Sequence, residues 1–179
     1  MDGTGNESGK SAGESAGGTA EAADLAARLA AVVGQRGASV AAAESVTAGS
    51  LAVELAAAEN ASTWFRGSVV AYAPEAKFSL LGVDRGPVIT AGVAGQMAAG
   101  AARLLTADFA VGSTGVGGPE AAEGRPPGTV FIAVAGPAGC RVREYSFDGD
   151  PSGVVRQATT QALRDLLDCC EQWARAERP

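Results

Sequence analysis

Apolar residues recur at helical spacing near both ends of the chain, and each stretch predicts a helix. The first helix is predicted from about Thr19, and residues 34–37 (GQRG) predict the turn that ends it. The last helix is predicted from about Pro151 to Arg175. The supporting apolar positions are Leu25, Leu29, Val32 and Val33 in the first helix, and Val155, Leu163, Leu166, Leu167, Cys170 and Trp173 in the last.

Between these helices, short apolar runs predict strands, and periodic segments predict further helices. The early half alternates helix and strand, whereas the late half contains a hairpin. This order predicts an α/β fold, a three-layer α/β/α sandwich with a mixed sheet. The predicted strands are 38–44, 65–72, 108–113, 129–135 and 141–147, and the predicted helices follow residues 45–50 to about Ala58, span 75–81, and run from the N-cap Thr90 to about Leu105.

Composition divides the chain near residue 18. Residues 1–18 (MDGTGNESGKSAGESAGG) hold no large apolar residue beyond Met1 and predict a disordered Gly/Ser-rich tail, which leaves 19–179 as a single α/β domain. No apolar run predicts a membrane span, and the polar N-terminus is unlike a signal peptide. Three cysteines without a CxxC spacing indicate a reducing compartment. We therefore expect a cytoplasmic protein with no membrane partner.

Charge and residue usage narrow the chemistry. The net charge of −6 argues against nucleic-acid binding, which needs a basic surface. The chain has no histidine, which excludes Ser-His-Asp and Cys-His sites and histidine-bound zinc. Its 14 basic residues include only two lysines, Lys10 in the predicted tail and Lys77 in the predicted domain. A lysine can act as a base when its pKa is lowered, whereas an arginine cannot, so Lys77 is a candidate base; the alternative is an ordinary surface lysine.

Ser45 is the candidate nucleophile, because it follows a predicted strand, where open α/β sheets tend to bind ligands. The amides that follow it could stabilise an oxyanion. The alternative is that Ser45 or Thr47 only caps the next helix. Tyr72, at the end of another strand, could hydrogen-bond the nucleophile or line a pocket, and the alternative is an aromatic core residue.

A glycine-rich loop follows a third strand at 113–119 (STGVGGP). Its glycines would allow a ligand close to the backbone, although it matches neither a dinucleotide fingerprint nor a Walker loop, and a plain turn is the alternative. Arg125 could place a cation beside this loop, or could lie in a solvated turn. The carboxylates Glu44, Glu75 and Glu120 are scattered without a spacing that predicts a metal site.

These segments, in this order, resemble the C-terminal domain of the CinA family, which includes nicotinamide-nucleotide amidases (NMN deamidases). The resemblance spans roughly Ala20 to Trp173 and is specific through the combination of motifs. The motifs are Ala43-Glu44-Ser45-x-Thr47-x-Gly49, Trp64-Phe65-Arg66-Gly67 with Val69-Val70-Ala71-Tyr72, Lys77 with Leu80-Leu81-Gly82-Val83, Thr114-Gly115-Val116-x-Gly118-Pro119, and Pro126-x-Gly128-Thr129-Val130.

The resemblance implies a serine–lysine amidohydrolase that deamidates nicotinamide mononucleotide to nicotinic acid mononucleotide and ammonia. Ser45 would be the nucleophile and Lys77 the base. The resemblance also implies a homodimer and a small-molecule nucleotide substrate, and it implies no metal or organic cofactor. The implied substrate-binding residues are Thr47, Ala48 and Gly49 after the serine, Tyr72, the loop residues Thr114, Gly115, Gly117 and Gly118, and the cations Arg125 and Arg156.

Several positions depart from the family pattern. Val46 and Ala48 stand where the family usually has cysteine and glycine, and Ala48 is expected to fit if its φ is helical. Pro74 stands in place of an asparagine beside the lysine, and Pro151 in place of an arginine, for which Arg156 or Arg125 would substitute. Two alternatives therefore stand beside deamidation: the same fold acting on another amide, or a catalytically inactive CinA-like binding or interaction protein.

Overall fold

The described part of the chain, residues 11–176 of a computed structural model, alternates helices and strands in the predicted order; side chains are described from Ala20 onward. The helices are α1 (Ser11–Gly34), α2 (Ser50–Ala57), α3 (Ala61–Trp64), α4 (Pro74–Leu81), α5 (Ala91–Leu105) and α6 (Pro151–Ala176). The strands are β1 (Val40–Glu44), β2 (Phe65–Val70), β3 (Phe109–Gly115), β4 (Thr129–Gly136) and β5 (Gly139–Ser146).

The strands of this region form one five-stranded sheet in the order β2-β1-β3-β4-β5. β1 pairs in parallel with both β2 and β3, whereas β3, β4 and β5 are antiparallel neighbours. The parallel pairs arise because a helix connects each strand to the next, and the antiparallel pair β4–β5 arises from the short turn at 136–139. The predicted mixed sheet is confirmed.

Helices cover both faces of the sheet, each over its own hydrophobic core. One core contains side chains of α1, α2, α3 and α6, among them Leu29, Leu51, Trp64 and Leu163. The other lies beneath α4 and α5. β1 is fully buried from Val40 to Glu44, because it lies between β2 and β3 and is covered on both faces, which explains the apolar run of residues 40–43. The three-layer α/β/α prediction is confirmed.

One predicted boundary and one predicted apolar position differ from the structure. α1 begins at Ser11 rather than at about Thr19, so residues 11–18, assigned to a disordered tail by composition, are helical, while residues 1–10 lie outside the described residues. Alanine and glutamate in this stretch are good helix formers, and extending an existing helix is easier than nucleating one. In the last helix, Val154 is buried and Val155, a predicted apolar position, only partly so, whereas the predicted positions Leu163, Leu166, Leu167 and Cys170 are buried.

The short helix α3 was missed by the sequence analysis, since four residues are too few to show a period. Among the described helices, none has the length and hydropathy that a membrane crossing requires.

Candidate active site

The carboxyl ends of the parallel strands β2, β1 and β3 meet at one edge of the sheet. Ser45 follows β1 directly, and its N–H donates to Ser113 O of β3 at 3.0 Å. On the other side, Ala71 N–H donates to Glu44 O at 2.8 Å. Because Glu44 pairs with Val70, Ser45 and Ala71 are the next residues along two adjacent strands, which lie about 4.8 Å apart. The predicted nucleophile thus lies between the ends of β2 and β3.

Glu44 holds the start of α2, a role that the sequence analysis missed. Its carboxylate is fully buried and accepts backbone N–H groups from Gly49, Leu51 and Ala52 at 2.8, 3.1 and 2.9 Å. The Ser68 hydroxyl donates to it at 2.7 Å. These bonds satisfy amides that a helix start leaves without partners. The available signal was an acidic residue a few positions before a predicted helix.

Ser45 therefore does not cap α2, which was the alternative interpretation of this residue. The N-cap of α2 is Gly49, and neither Ser45 nor Thr47 supplies a side-chain cap there. The turn of residues 45–49, here called the serine turn, holds Ser45 through its backbone: its carbonyl accepts the Ala48 N–H at 3.2 Å. The Ser45 side chain is half-buried at the strand edge, where a reacting group can approach it.

Three residues after Ser45 have other roles than those predicted. Thr47 is fully buried, and its hydroxyl hydrogen-bonds the Ser113 hydroxyl at 2.8 Å, so its side chain supports the turn from below. Ala48 has a left-handed φ of 50°, not the helical φ that was expected. The N–H groups of Ala48 and Gly49 are already bonded within the turn. The amides of Val46 and Thr47 remain as candidates for an oxyanion site.

Lys77 is buried, not the surface lysine of the alternative interpretation; only 1% of it is exposed. α4 begins at Pro74 and turns Lys77 inward, where Nζ donates to Ala71 O at 2.8 Å and to Tyr72 O at 2.9 Å. Burial lowers the pKa of Lys77, and the carboxylate of Glu123 partly opposes this shift. A neutral amine has two N–H groups, which the two carbonyls occupy, and a lone pair that remains to accept a proton.

Tyr72 lies at the rim of this edge. Its side chain is 72% exposed, which excludes the alternative of an aromatic core residue. Its carbonyl binds Lys77, whereas its ring is free to meet a ligand.

Only part of the glycine-rich loop borders the serine turn. Thr114 is buried and donates to Val88 O at 2.8 Å. A Cβ on Gly115 would come within 2.5 Å of Thr129 O, so this glycine serves the pairing of β3 with β4. A Cβ on Gly117 would instead meet Val46 at 3.9 Å, which places Gly117 beside the serine turn; Gly118 is the next residue along the loop.

The two predicted cations have other partners. Arg125 lies over the Phe131 ring and 3.4 Å from Glu144, an exposed ion pair at the β4–β5 hairpin. Arg156 donates to the Ser152 hydroxyl and lines a groove of about 630 Å³ between α6 and α1. Ser45 and Lys77 do not line this groove. Pro151, by contrast, lies against Gly118, since a Cβ there would be 4.0 Å from Pro151 Cγ.

The arrangement is a half-buried hydroxyl and a buried amine at the ends of paired strands. A family model, the CinA C-terminal domain, matches residues 22–170 of the chain. The chain belongs to the CinA C-terminal domain family. The resemblance noted in the sequence is thereby confirmed.

Relatives of this CinA domain include a "CinA-like protein" of Frankia casuarinae, 42% identical over 74% of the chain and 32% of the relative. A "Putative competence-damage inducible protein" of Streptococcus agalactiae is 41% identical over 72% of the chain and 32% of the relative. The chain spans about a third of the length of these curated relatives.

Solved structures share the fold. A CinA superfamily protein of Klebsiella pneumoniae 700603 superimposes with a TM-score of 0.81 at 30% identity, covering 85% of this chain and 99% of the other. A competence damage-inducible protein from Agrobacterium tumefaciens gives a TM-score of 0.77 at 28% identity, covering 85% and 96%. The match extends over nearly the whole of both solved chains.

Proposed function

We propose that this CinA domain is a serine–lysine amidohydrolase that deamidates nicotinamide mononucleotide. The observation that carries the proposal is the burial of Lys77 beside the strand that flanks Ser45. Burial favours the neutral amine, the form that a general base requires. The ordered motifs shared with the family supply the substrate class.

In the proposed mechanism, the Ser45 oxygen attacks the carboxamide carbon while its proton passes to Lys77 Nζ. The tetrahedral intermediate collapses, the C–N bond breaks, and Lys77 returns the proton to the leaving ammonia. Water then attacks the acyl ester, Lys77 accepts one of its protons, and the carboxylic acid leaves as Ser45 recovers its hydroxyl. The amides of Val46 and Thr47 would donate to the oxyanion in both steps.

Ammonia release from nicotinamide mononucleotide tests the mechanism. Ser45→Ala and Lys77→Met are each expected to lower kcat by about 1000-fold or more, because nucleophile and base act as one unit. Ser79→Ala, an exposed serine on α4, and Lys10→Arg, the other lysine, are the matched controls and should keep the wild-type rate. Wild-type turnover by folded Ser45→Ala would refute the mechanism.

The proposal extends to the assembly and compartment, a cytoplasmic homodimer. Val70 and Tyr72, 49% and 72% exposed at the end of the edge strand β2, are apolar surface that a second copy could cover. Sedimentation equilibrium of the full chain tests this, and a monomer at micromolar concentration would contradict it.

A second candidate is the same chemistry on an amide without a phosphate. The observation that favours it is Pro151 against the Gly118 loop, with Arg125 and Arg156 bonded elsewhere. A kcat/KM for nicotinamide riboside that exceeds the value for the mononucleotide would support this candidate. A ligand that binds in calorimetry and is never hydrolysed would instead favour the inactive binding protein.

A further inference from the structure

A tight turn in the 116–128 loop, between β3 and β4, carries a glutamate where other residues are preferred. Ala122 N–H donates to Arg125 O at 3.1 Å, and Arg125 N–H returns a bond of 2.9 Å to Ala122 O. The two residues between them, Glu123 and Gly124, both have positive φ, 49° and 74°. Such turns favour Asn, Asp or Gly at the first of these positions. Glu123 thus adopts an unfavourable backbone conformation that its surroundings must stabilise.

The Glu123 side chain supplies that stabilisation. Its two carboxylate oxygens accept the N–H groups of Val88 and Ile89 at 3.0 and 2.8 Å. Both residues are more than 90% buried in the 82–90 connection between α4 and α5, so their amides need partners. Thr114 adds a bond to Val88 O from the end of β3. Glu123 therefore fastens the 116–128 loop to the 82–90 connection.

The same connection directly follows α4, the helix that carries Lys77. Val83 N–H donates to Lys77 O at 3.3 Å, and Val83, Val88 and Val116 belong to one hydrophobic cluster with Ala71, whose carbonyl holds the Lys77 amine. Burial is the largest cause of the lowered pKa of Lys77, and the carboxylate of Glu123 is the charged group that opposes it. Other charged groups on the surrounding elements are engaged or exposed. These other groups are Glu75, exposed on α4; Asp84, bonded to Gln96; Arg85, over Phe78; Arg103, bonded to Leu81 O; and Glu120, exposed in the loop.

We propose that Glu123 is a positioning residue for Lys77: its clamp on Val88 and Ile89 holds the 116–128 loop in place and fixes a carboxylate near the buried amine. The carboxylate that the clamp holds opposes the effect of burial, so it lowers the fraction of Lys77 that is neutral at a given pH. This proposal rests on the proposed function only in treating Lys77 as a base. The clamp and its effect on the Lys77 amine are properties of the protein without substrate.

The presence of only two lysines makes a direct test feasible. In a Lys10→Arg background, lysine labelled with ¹³C at Cε gives one NMR signal, that of Lys77. We expect the titration midpoint of Lys77 to fall in Glu123→Gln, because this change removes the carboxylate charge that raises the pKa of Lys77. The matched control, Glu120→Gln in the same loop, should leave the midpoint unchanged. The Val88 and Ile89 amides should exchange about tenfold faster in Glu123→Gln alone.

An unchanged Lys77 midpoint, or equal amide exchange in both variants, would overturn the proposal. If Glu123→Gln does not fold, Glu123→Asn suits the positive φ, shortens the side chain and removes its charge, and it is expected to lower the midpoint as well. Ammonia release separates the two claims. If the wild-type protein is active, the acid limb of its kcat/KM profile should move to lower pH in Glu123→Gln. If the wild-type protein hydrolyses no amide, the proposed deamidase function is refuted, whereas a shifted Lys77 midpoint still supports the clamp.

Discussion

Ala48 carries a side chain in a backbone conformation that favours glycine. Its φ of 50° is costly for an L-residue, by about 1 kcal/mol or more, and glycine avoids that cost. We predict that Ala48→Gly raises the free energy of unfolding by about 1 kcal/mol, measured by urea denaturation. The control Ala52→Gly, inside α2, should lower it by a similar amount, because glycine is unfavourable in helices.

Lys77 and Glu44 show how far single residues were predictable. Lysine at 77 stood out because arginine is used almost everywhere else, and the structure places it in the interior. The role of Glu44 at the start of α2 was not predicted, because sequence spacing does not reveal three backbone amides converging on one carboxylate. Thr47 and Thr114 were expected to meet a ligand and instead lie beneath the surface, since a motif fixes the order of residues but not which side chain faces outward.

At the scale of elements, the glycines of α5 explain how α4 and the sheet pack against it. A Cβ on Gly100 would overlap the Leu81 backbone, whereas a Cβ on Gly92 would have Thr90 Oγ1 at 3.9 Å as its nearest neighbour. We predict that Gly100→Ala destabilises the fold by about 1–3 kcal/mol through overpacking. Gly92→Ala should stabilise it by about 0.5–1 kcal/mol through helix propensity. Thermal unfolding of the pair measures both, and equal effects would contradict the packing argument.

The edge strand β5 is tied to α6 by a buried carboxylate. Asp165 accepts bonds from Arg143, Tyr145 and Gln161 at 2.9, 2.8 and 3.0 Å. We predict that Asp165→Ala costs about 2–3 kcal/mol, because these donors lose a charged partner. Asp168→Ala, three positions further along α6, should change stability by less than about 0.5 kcal/mol. Denaturant midpoints distinguish the two, and similar losses would argue against the network.

Elements were predictable where a period or a strong breaker marks them, and less so at their ends. The hairpin β4–β5 and the N-cap Thr90, which accepts the Val93 N–H, follow from local signals. β3 runs on to Gly115, into the stretch predicted as loop, because pairing with β4 across the sheet decides its end. Such pairing partners are distant in sequence and invisible to a local pattern.

For the whole molecule, burial of Lys77 implies a signature in the pH dependence of stability. Its folded-state pKa is lowered, so between that pKa and about 10.5 the unfolded state binds more protons. Stability therefore gains a contribution that grows as pH rises through this window and is missing below it. We predict that Lys77→Met removes this rise. Denaturation of wild type and Lys77→Met at a series of pH values from 6 to 10 measures the difference. The same pH dependence of the free energy of unfolding in both proteins would contradict the prediction.

The burial of Lys77 also allows local unfolding around α4 to be measured by proteolysis. A protease that cuts only after lysine has two targets in this sequence, and one of them lies inside α4 with 1% of its surface exposed. Cleavage at that position requires α4 to detach from α5, so the cutting rate under native conditions reports the free energy of that local opening. A ligand that binds at the serine turn should slow cleavage after Lys77. The cleavage rate would then serve as a binding assay that needs neither turnover nor a label.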